Sequence, residues 1–470
     1  MKGISSLIQK KNTNTIGKGV MISYSQYLHL FDKQVNQYLP QEKVLSTVDR
    51  IIYQSENIFR PDRPDYELGR FQAIKETFTL HYTKNRPYRE LCELNKINPD
   101  LINEPDDLYR IPLIPHSFFK LFPPGADCAV WIGNIFTGPM SEVFVSKNDD
   151  IDNVIKSFEK AGVKISCSSG TSGKITMVPR DITSFRRNEY ILAKSLVSMS
   201  YPFWSPEIKG LLLMPDPEST CLNIGRVCEI FRYAVSEVKY AVDRSITVSD
   251  IVKSGADKNL LKQAVYSSLL NRYLSKVIQY TIRWLKTQDS LTEKIVLIGP
   301  PFLYSLLFKK LKQDGLKFDF SGRSGVITGG GWKNEVQHEI SGALFREEVR
   351  STLGCDLVLD VYGMAEGNIW GIHCPEGHYF HLTSGFALPV VLNEDGKVLP
   401  YGKEGRFAYL DASVTSYPAF ILTDDRVTMY EHCPVCRRPG PVLDPVITRF
   451  SHREHDNCIS VMQKELTREK

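Results

Sequence analysis

The chain has 470 residues, 42% apolar and 24% charged, and its 58 Lys+Arg against 54 Asp+Glu leave a formal net charge of +4. That is ample material for a large core, and so small a basic excess gives no electrostatic case for binding nucleic acid. The most apolar run, Ile295 to Phe308, is too short to span a bilayer and carries Pro300 and Pro301. The N-terminus lacks the long apolar segment of a secretory signal, so a cytoplasmic location is expected, where the ten cysteines need not be bridged.

From Tyr24 to about Phe122, apolar residues recur every three or four positions, as in SQYLHLFDKQVNQYL and GRFQAIKETFTLHYTK, which predicts helices. Asn98-Pro99-Asp100 and Glu104-Pro105-Asp106 punctuate them. The region closes in Arg110-Ile-Pro-Leu-Ile-Pro-His-Ser-Phe-Phe-Lys120, where the two prolines favour extended backbone and Phe118 and Phe119 form a buried anchor. Beyond Val130, strands and helices alternate. VKISC (163–167), GLLLMPD (210–216), KIVLIGPP (294–301), RSGVITGGGW (323–332) and DLVLDVYGM (356–364) read as strands ending in loops. FLYSLLFKKLKQDG (302–315) reads as a helix closed by Gly315. Such alternation predicts an α/β fold of helix-covered sheets with ligands at the strand ends. After Gly377 the pattern becomes hairpin-rich, turning at Glu394-Asp395-Gly396. The expected organisation is a mainly helical N-terminal region (1–125), an α/β core (126–425) whose β-rich section starts near 377, and a knuckle and tail (426–470).

Cysteine and histidine crowd the C-terminal hundred residues: Cys374, Cys433, Cys436 and Cys458, with His373, His378, His381, His432, His452 and His455. Cys433-Pro-Val-Cys436 is a metal knuckle. Joined by Cys374 and one of His378 and His381, it makes a closed four-ligand set of the kind zinc prefers, structural because no open position is implied. Reduced thiols in turns are the plain alternative.

Ser166-Cys167-Ser168-Ser169-Gly170-Thr171-Ser172-Gly173-Lys174 is the strongest local signal. Small residues let the backbone approach an anion, hydroxyl and N–H groups satisfy phosphate oxygens, and Lys174 adds charge. Two residues, not four, separate the glycines, and Ile175 follows the lysine, so this is no Walker A loop. Read by itself, it is equally a Ser/Gly-rich surface turn.

Three further stretches follow in order: Thr328-Gly329-Gly330-Gly331-Trp332, Tyr362-Gly363-Met364-Ala365-Glu366 and Thr423-Asp424-Asp425. With the loop, they resemble the adenylate-forming superfamily of acyl- and aryl-CoA ligases, peptide-synthetase adenylation domains and luciferases. The resemblance implies ATP phosphates on Ser168, Ser169, Gly170, Thr171, Ser172, Gly173 and Lys174. It implies adenine against Tyr362 and Gly363, Mg²⁺ held with help from Glu366, and ribose on Asp425. Gly329, Gly330 and Gly331 would lie near the acyl carboxyl and the adenine. Ala365 and Asp424 depart from the family's usual Thr and Gly.

The IPxIPxxxFK stretch ending at Lys120 is similar to the acyl-protein synthetases of bacterial luminescence, the long-chain-fatty-acid–luciferin-component ligases. That branch implies formation of a fatty acyl-AMP, transfer of the acyl group to a cysteine near the C-terminus, and hand-over to an acyl-CoA reductase-type partner. Cys458 matches the acceptor by position, with Arg453 and His455 favouring thiolate and Glu454 and Asp456 opposing it. The stretch from Arg426 to Lys470 is far shorter than the lid domain of most such ligases. Lys464 and Lys470 are its only lysines, so a shortened lid without an identifiable lysine is expected. Phenylacetate-CoA-ligase-like proteins share the Cys…His pair and later CxxC, and by that likeness His381 is the fourth zinc ligand. An acyl- or aryl-CoA ligase, and a non-catalytic nucleotide-binding protein that kept the fold, are the competing readings. The carboxylic acid is the expected substrate; no membrane span is expected.

Overall fold

The computed structural model describes residues 22–41, 45–60, 65–168, 175–251, 260–330 and 342–450. Its centre is a sheet whose parallel half has the order β5-β4-β6-β7-β8. These strands are β4 (Lys209–Pro215), β5 (Glu237–Val242), β6 (Ile295–Gly299), β7 (Ser324–Gly329) and β8 (Leu357–Gly363). Each central strand is a nearly unbroken apolar run, because helices cover both faces and no side chain escapes to water. Leu212, Met214, Val296, Ile298, Leu359 and Val361 feed one core; the alternate residues Leu211, Leu213, Ile295, Leu297, Val326 and Val358 feed the other.

One face is covered by helix α7 (Ile182–Met199), started by Asp181 accepting the Ser184 N–H and buried along most of its length. The opposite face carries α10 (Leu260–Ser290), α11 (Pro301–Gln313) and α12 (Gly342–Leu353). Pro301 at the first helical position costs α11 no hydrogen bond, and Gly315 after its end takes φ +61°. The short helices α8 (Asn223–Arg226) and α9 (Phe231–Ala234) lie between β4 and β5 in the chain.

Beyond β8 the sheet turns antiparallel. The strands β9 (Trp370–His373), β10 (Phe380–Leu382), β11 (Ala387–Leu392), β12 (Glu404–Asp411), β13 (Phe420–Tyr430) and β14 (Val442–Leu443) continue it, in the order β9-β10-β14-β13-β12-β11. A two-residue strand, β15 (Thr448–Arg449), pairs with β13 at Asp425 and Arg426. A separate hairpin of β2 (Lys164–Cys167) and β3 (Met177–Arg180) brackets the Ser/Gly-rich loop. The strands and the closed helix expected from the sequence are all present, within a residue or two at their ends.

The N-terminal helices are α1 (Tyr24–Gln34), α2 (Thr47–Gln54), α3 (Tyr66–Lys84) and α4 (Arg86–Leu94). They share one hydrophobic core with the sheet and α7. Polar ties reinforce this: Lys194 on α7, almost fully buried, donates to the carbonyls of Ile52 and Ser55. Arg187 on α7 grips Asp49 of α2 through two bonds of 2.8 and 2.9 Å, both side chains nearly out of reach of water. The α5 (Asp127–Ile135) and α6 (Ile151–Lys160) helices follow. Before them, Ile114-Pro115 forms β1, which pairs in parallel with Ile421-Leu422 of β13. A 3₁₀ turn, His116–Lys120, then buries Phe118 and Phe119 completely.

Removing one partner of a buried ion pair strands the other. Arg187→Ala is therefore expected to cost about 3–5 kcal/mol of folding stability, read by urea denaturation. The apolar double replacement Arg187→Met with Asp49→Leu is expected to recover most of that loss. A loss from Arg187→Ala no larger than that of an exposed arginine on the same helix would refute the account.

Candidate active site

Four loops meet where the parallel strands end. The first is the β2–β3 hairpin. Ser168 closes its neck: its N–H donates to the Thr176 carbonyl at 3.0 Å and its Oγ accepts the Thr176 N–H at 2.9 Å. Ser169, Gly170, Thr171, Ser172, Gly173 and Lys174 lie outside the described residues, as do Gly331 and Cys458. The second loop follows β7, with Gly329 packed against Val361 and Gly330 at φ +86°, a conformation that favours glycine. The third is Tyr362 to Glu366. Gly363 is obligatory there, because a Cβ would lie 2.3 Å from the Trp370 ring. The fourth is Thr423-Asp424-Asp425 within β13. The β12–β13 ladder skips at this point: Arg406 pairs with Arg426 and Ala408 with Leu422, so the three residues bulge opposite Phe407. Bulges re-aim side chains beside functional sites. Thr423 pins this one, its hydroxyl donating to the Phe407 carbonyl and accepting the Asp425 N–H.

The aspartates of the bulge serve different partners. Asp425 accepts from the Tyr362 hydroxyl at 2.6 Å and pairs with Arg449 at 3.3 Å. Arg449 is more than half exposed and still makes this contact. Asp424 is held by Arg406 at 2.7 Å and by His116 Nε2 at 3.1 Å. His116 Nδ1 in turn reaches Glu366 Oε1 at 2.9 Å. The residue that departs from the family pattern thus has a partner of its own, the histidine of the IPLIPHSFFK segment.

Burial alone would push the His116 pKa down, but hydrogen bonds to Asp424 and Glu366 outweigh it and raise it to about 9. Burial likewise pushes the Glu366 carboxyl up, and the bond and charge of His116 hold it below its ordinary value. Lys120, half-buried at the end of the same 3₁₀ turn, has its pKa lowered by burial, against the field of Glu366, Asp424 and Asp425.

A second buried cation organises the loops. Arg180, at the end of β3 and fully buried, donates to the carbonyls of Ala365 at 2.7 Å and Gly367 at 3.1 Å, and to the Asn368 side chain. The missing hydroxyl at Ala365 leaves this loop no less anchored, because its main chain is what Arg180 holds. His116, Lys120, Arg180 and Arg406 were not singled out by sequence reasoning. The one signal for His116 was its place inside a recognised segment; Arg180 and Arg406 carried none.

A cavity of about 390 Å³ opens at the ends of β4, β6, β7 and β8, within the range of small-molecule sites. Ser168, Gly330 and Ala365 border it, and Leu192, Leu196, Leu222, Ile224 and Phe231 give it an apolar wall. Trp370 both lines it and donates its indole N–H to Asn188.

Away from this cavity, Cys374, His381, Cys433 and Cys436 bring their ligand atoms within 4.8 Å of one another. The Sγ atoms of Cys374 and Cys433 are 3.8 Å apart, and Cys436 Sγ lies 3.3 Å from His381 Nε2. Two Zn–S bonds of about 2.3 Å at a tetrahedral angle place sulfurs roughly 3.8 Å apart, so the set fits such an ion. Each knuckle bends a backbone N–H onto its first sulfur, Gly377 onto Cys374 and Cys436 onto Cys433, both at 3.4 Å. Burial lowers the His381 pKa to about 4, which keeps the ring neutral and able to ligate. His378, in the turn between Cys374 and His381 at φ +61°, is no member of the set. Glu366 offers the hard carboxylate oxygen that magnesium prefers, with His116 hydrogen-bonded to its Oε1 and Oε2 left for an ion.

A parallel sheet with nucleotide-type loops at its strand ends and an apolar cavity beside them is the architecture of an ATP-dependent, AMP-forming acid ligase. Residues 139–467 match the family described as "Acyl-protein synthetase, LuxE", and the chain belongs to that family. Among its relatives, the long-chain-fatty-acid–luciferin-component ligase of Aliivibrio fischeri is 25% identical over 409 residues, 84% of this chain and 89% of the relative. That of Vibrio harveyi is 24% identical over 405 residues, 84% of this chain and 88% of the relative. The fold is shared with a solved 2-hydroxyisobutyryl-CoA ligase carrying 2-HIB-AMP and CoA, at a TM-score of 0.53 and 14% identity, over 82% of this chain and 69% of that one. Among the described residues no helix is long and apolar enough to cross a membrane.

A histidine pKa raised in the folded state contributes stability below its unfolded value, about 6.5, and that contribution fades as pH rises through about 9. The Tm difference between the wild type and His116→Gln is thus expected to be greatest at pH 6 and to shrink steadily up to pH 10. A difference constant over that interval would count against a charged His116.

Proposed function

We propose that this chain activates a fatty acid with ATP and Mg²⁺ as acyl-AMP and passes the acyl group to a protein thiol. The observation that carries the reading is one largely apolar cavity bordered by Ser168, Gly329, Gly330, Gly363 and Ala365, with the Tyr362–Asp425 pair and Glu366 on the residues that flank Gly363 and Ala365 in the chain. In the first step a carboxylate oxygen attacks the α-phosphorus of ATP, the bond to the β-phosphate breaks and pyrophosphate leaves. In the second a thiolate attacks the acyl carbon and AMP leaves. Such reactions need positioned groups and charge neutralisation more than covalent help from the protein.

On this reading Tyr362 and Gly363 present a face to adenine and Asp425 takes the ribose hydroxyls, with Tyr362 and Arg449 fixing its carboxylate. Ser168 through Gly173, with Lys174, receive the phosphates, and Gly329 to Gly331 border the reacting carboxyl. Glu366 holds Mg²⁺, which when bound neutralises phosphate charge. Cys458 is the acyl acceptor, and an acyl-CoA reductase-like protein is the partner that takes the product onward. The apolar wall of Leu192, Leu196 and Phe231 suits an alkyl chain better than a polar acid. None of the nine described cysteines is in a disulfide, and a cytoplasmic location is part of this reading.

Pyrophosphate exchange with a panel of carboxylic acids tests the first step. Exchange is expected with fatty acids and to fall at least about 100-fold in Asp425→Ala, the scale of losing a key positioned contact; no exchange with any acid would leave a nucleotide-binding protein without turnover. Radiolabelled acid plus ATP tests the second. Label is expected on the protein as a thioester and to vanish in Cys458→Ala, whereas CoA thioester in solution, with unlabelled protein, would make the chain a CoA ligase.

We also assign Zn²⁺ to Cys374, His381, Cys433 and Cys436 as a structural ion. Native mass spectrometry should find one zinc per chain, lost in Cys433→Ser together with a large drop in Tm, since such sites supply ~10 kcal/mol or more of folding energy. Metal-free protein of unchanged Tm would remove this assignment.

A further inference from the structure

We propose that Phe231, together with Leu196, Ile298 and Ile327, fixes the length of acyl chain this site accepts, by closing the apolar cavity against a second one behind it. This rests on the reading of the substrate as a fatty acid and deepens it.

The second cavity, of about 40 Å³, lies between α7 and the sheet. The two have Leu196, Phe231, Ile298 and Ile327 in common, so one layer of side chains separates them. The elements on either side carry the groove onward in step. On α7, Leu192 lines the first cavity, Leu196 both and Ser200 the second, each one helical turn from the last. On β6 and β7, Ile298 and Ile327 line both, while Val296 and Gly325, two residues back on the same face, line only the second. Two residues of strand advance roughly 7 Å. The second cavity is therefore the same groove, one step further from the strand ends where Ser168, Gly330 and Ala365 border the first.

Its walls suit hydrocarbon. The Ser200 hydroxyl donates to the Val197 carbonyl at 3.1 Å, and the Trp204 indole N–H to the Ala234 carbonyl at 3.0 Å. With those donors taken, the lining side chains favour methylene over water. Its room depends on Gly325, where a Cβ would come 3.1 Å from the Phe203 ring. The partition residues are not equivalent. Ile298 and Ile327 are β-branched residues of central strands, stiff at χ1, and Leu196 belongs to the long helix α7. Phe231 is the largest of the four and opens α9, a helix of only four residues. Its truncation joins the cavities with the least disturbance of the sheet.

The test is pyrophosphate exchange with straight-chain saturated acids of increasing length. In the wild type kcat/KM is expected to climb about fourfold per added methylene, the worth of burying one, and to fall once the terminal methyl meets the partition. In Phe231→Ala the climb is expected to continue for about two more carbons, so that those longer acids gain about tenfold or more over the wild type. Val296→Phe refills the second cavity from a residue that does not line the first. Added to Phe231→Ala, it is expected to restore the wild-type optimum; alone, it is expected to leave that optimum in place. Phe231→Leu and Val296→Leu, with smaller shifts in the same directions, serve if the fold does not tolerate the larger changes. An optimum that stays put in a folded Phe231 variant overturns the proposal alone, as does a lengthened optimum that refilling at Val296 does not shorten. Exchange with no fatty acid of any length overturns the fatty-acid reading, and the proposal with it.

Discussion

The site depends first on one buried guanidinium. Arg180 stands at the end of β3, so any movement of the phosphate-type hairpin moves it, and its hydrogen bonds end on the carbonyls of Ala365 and Gly367 and on Asn368. Asn368 is itself gripped, its N–H by Asp411 of β12 and its amide by the Ser184 carbonyl at the start of α7. A charge removed from water is tolerated only where acceptors replace the solvent, and here three oxygens do so. The consequence is geometric: hairpin, adenine-type loop, sheet and helix α7 share one cationic pin. The loops that would have to agree to within a fraction of an ångström around a nucleotide do not drift separately.

His116 extends the same logic to the N-terminal region. Without it, Glu366 and Asp424 would be two buried carboxylates facing one another with Arg406 as the principal cation. With it, the four charges alternate, Glu366, His116, Asp424, Arg406, and the row balances. The helical region is therefore an electrostatic component of the site as well as a packing partner, fastened by β1 and by the Arg187–Asp49 and Lys194 contacts.

The antiparallel half of the sheet is organised at its far end by the Cys/His set. Cys374 follows β9 and His381 lies in β10, while Cys433 and Cys436 sit between β13 and β14. Gly377 and Val435 touch so closely that a Cβ on Gly377 would fall 2.6 Å from Val435, and Arg438 forks onto Glu376 at 2.6 and 2.8 Å. The two knuckles thus clasp one another. They steady the C-terminal end of β13, the strand whose middle carries Asp424 and Asp425.

What the sequence by itself determined is whatever depends on neighbours along the chain. Apolar runs broken by Gly and Pro marked the strands of the parallel sheet. Cys/His spacing marked the metal-type set, because strand ends and knuckles are local events, whereas the Tyr362–Glu366 and Thr423–Asp425 stretches stood out as candidate site loops only through their resemblance to a family. Even in the metal-type set the choice of His381 over His378 leaned on family likeness; in the structure it is His381 whose ring nitrogen lies beside the three thiols. The tertiary structure alone decided which buried charges meet. His116 lies 250 residues from Glu366, Arg180 lies 185 from Ala365, and Arg406 reaches Asp424 only because the β12–β13 ladder skips. No periodicity records such pairings. They arise when chain segments far apart in sequence are brought into one low-dielectric interior, where a charge must find its partner or not be buried at all.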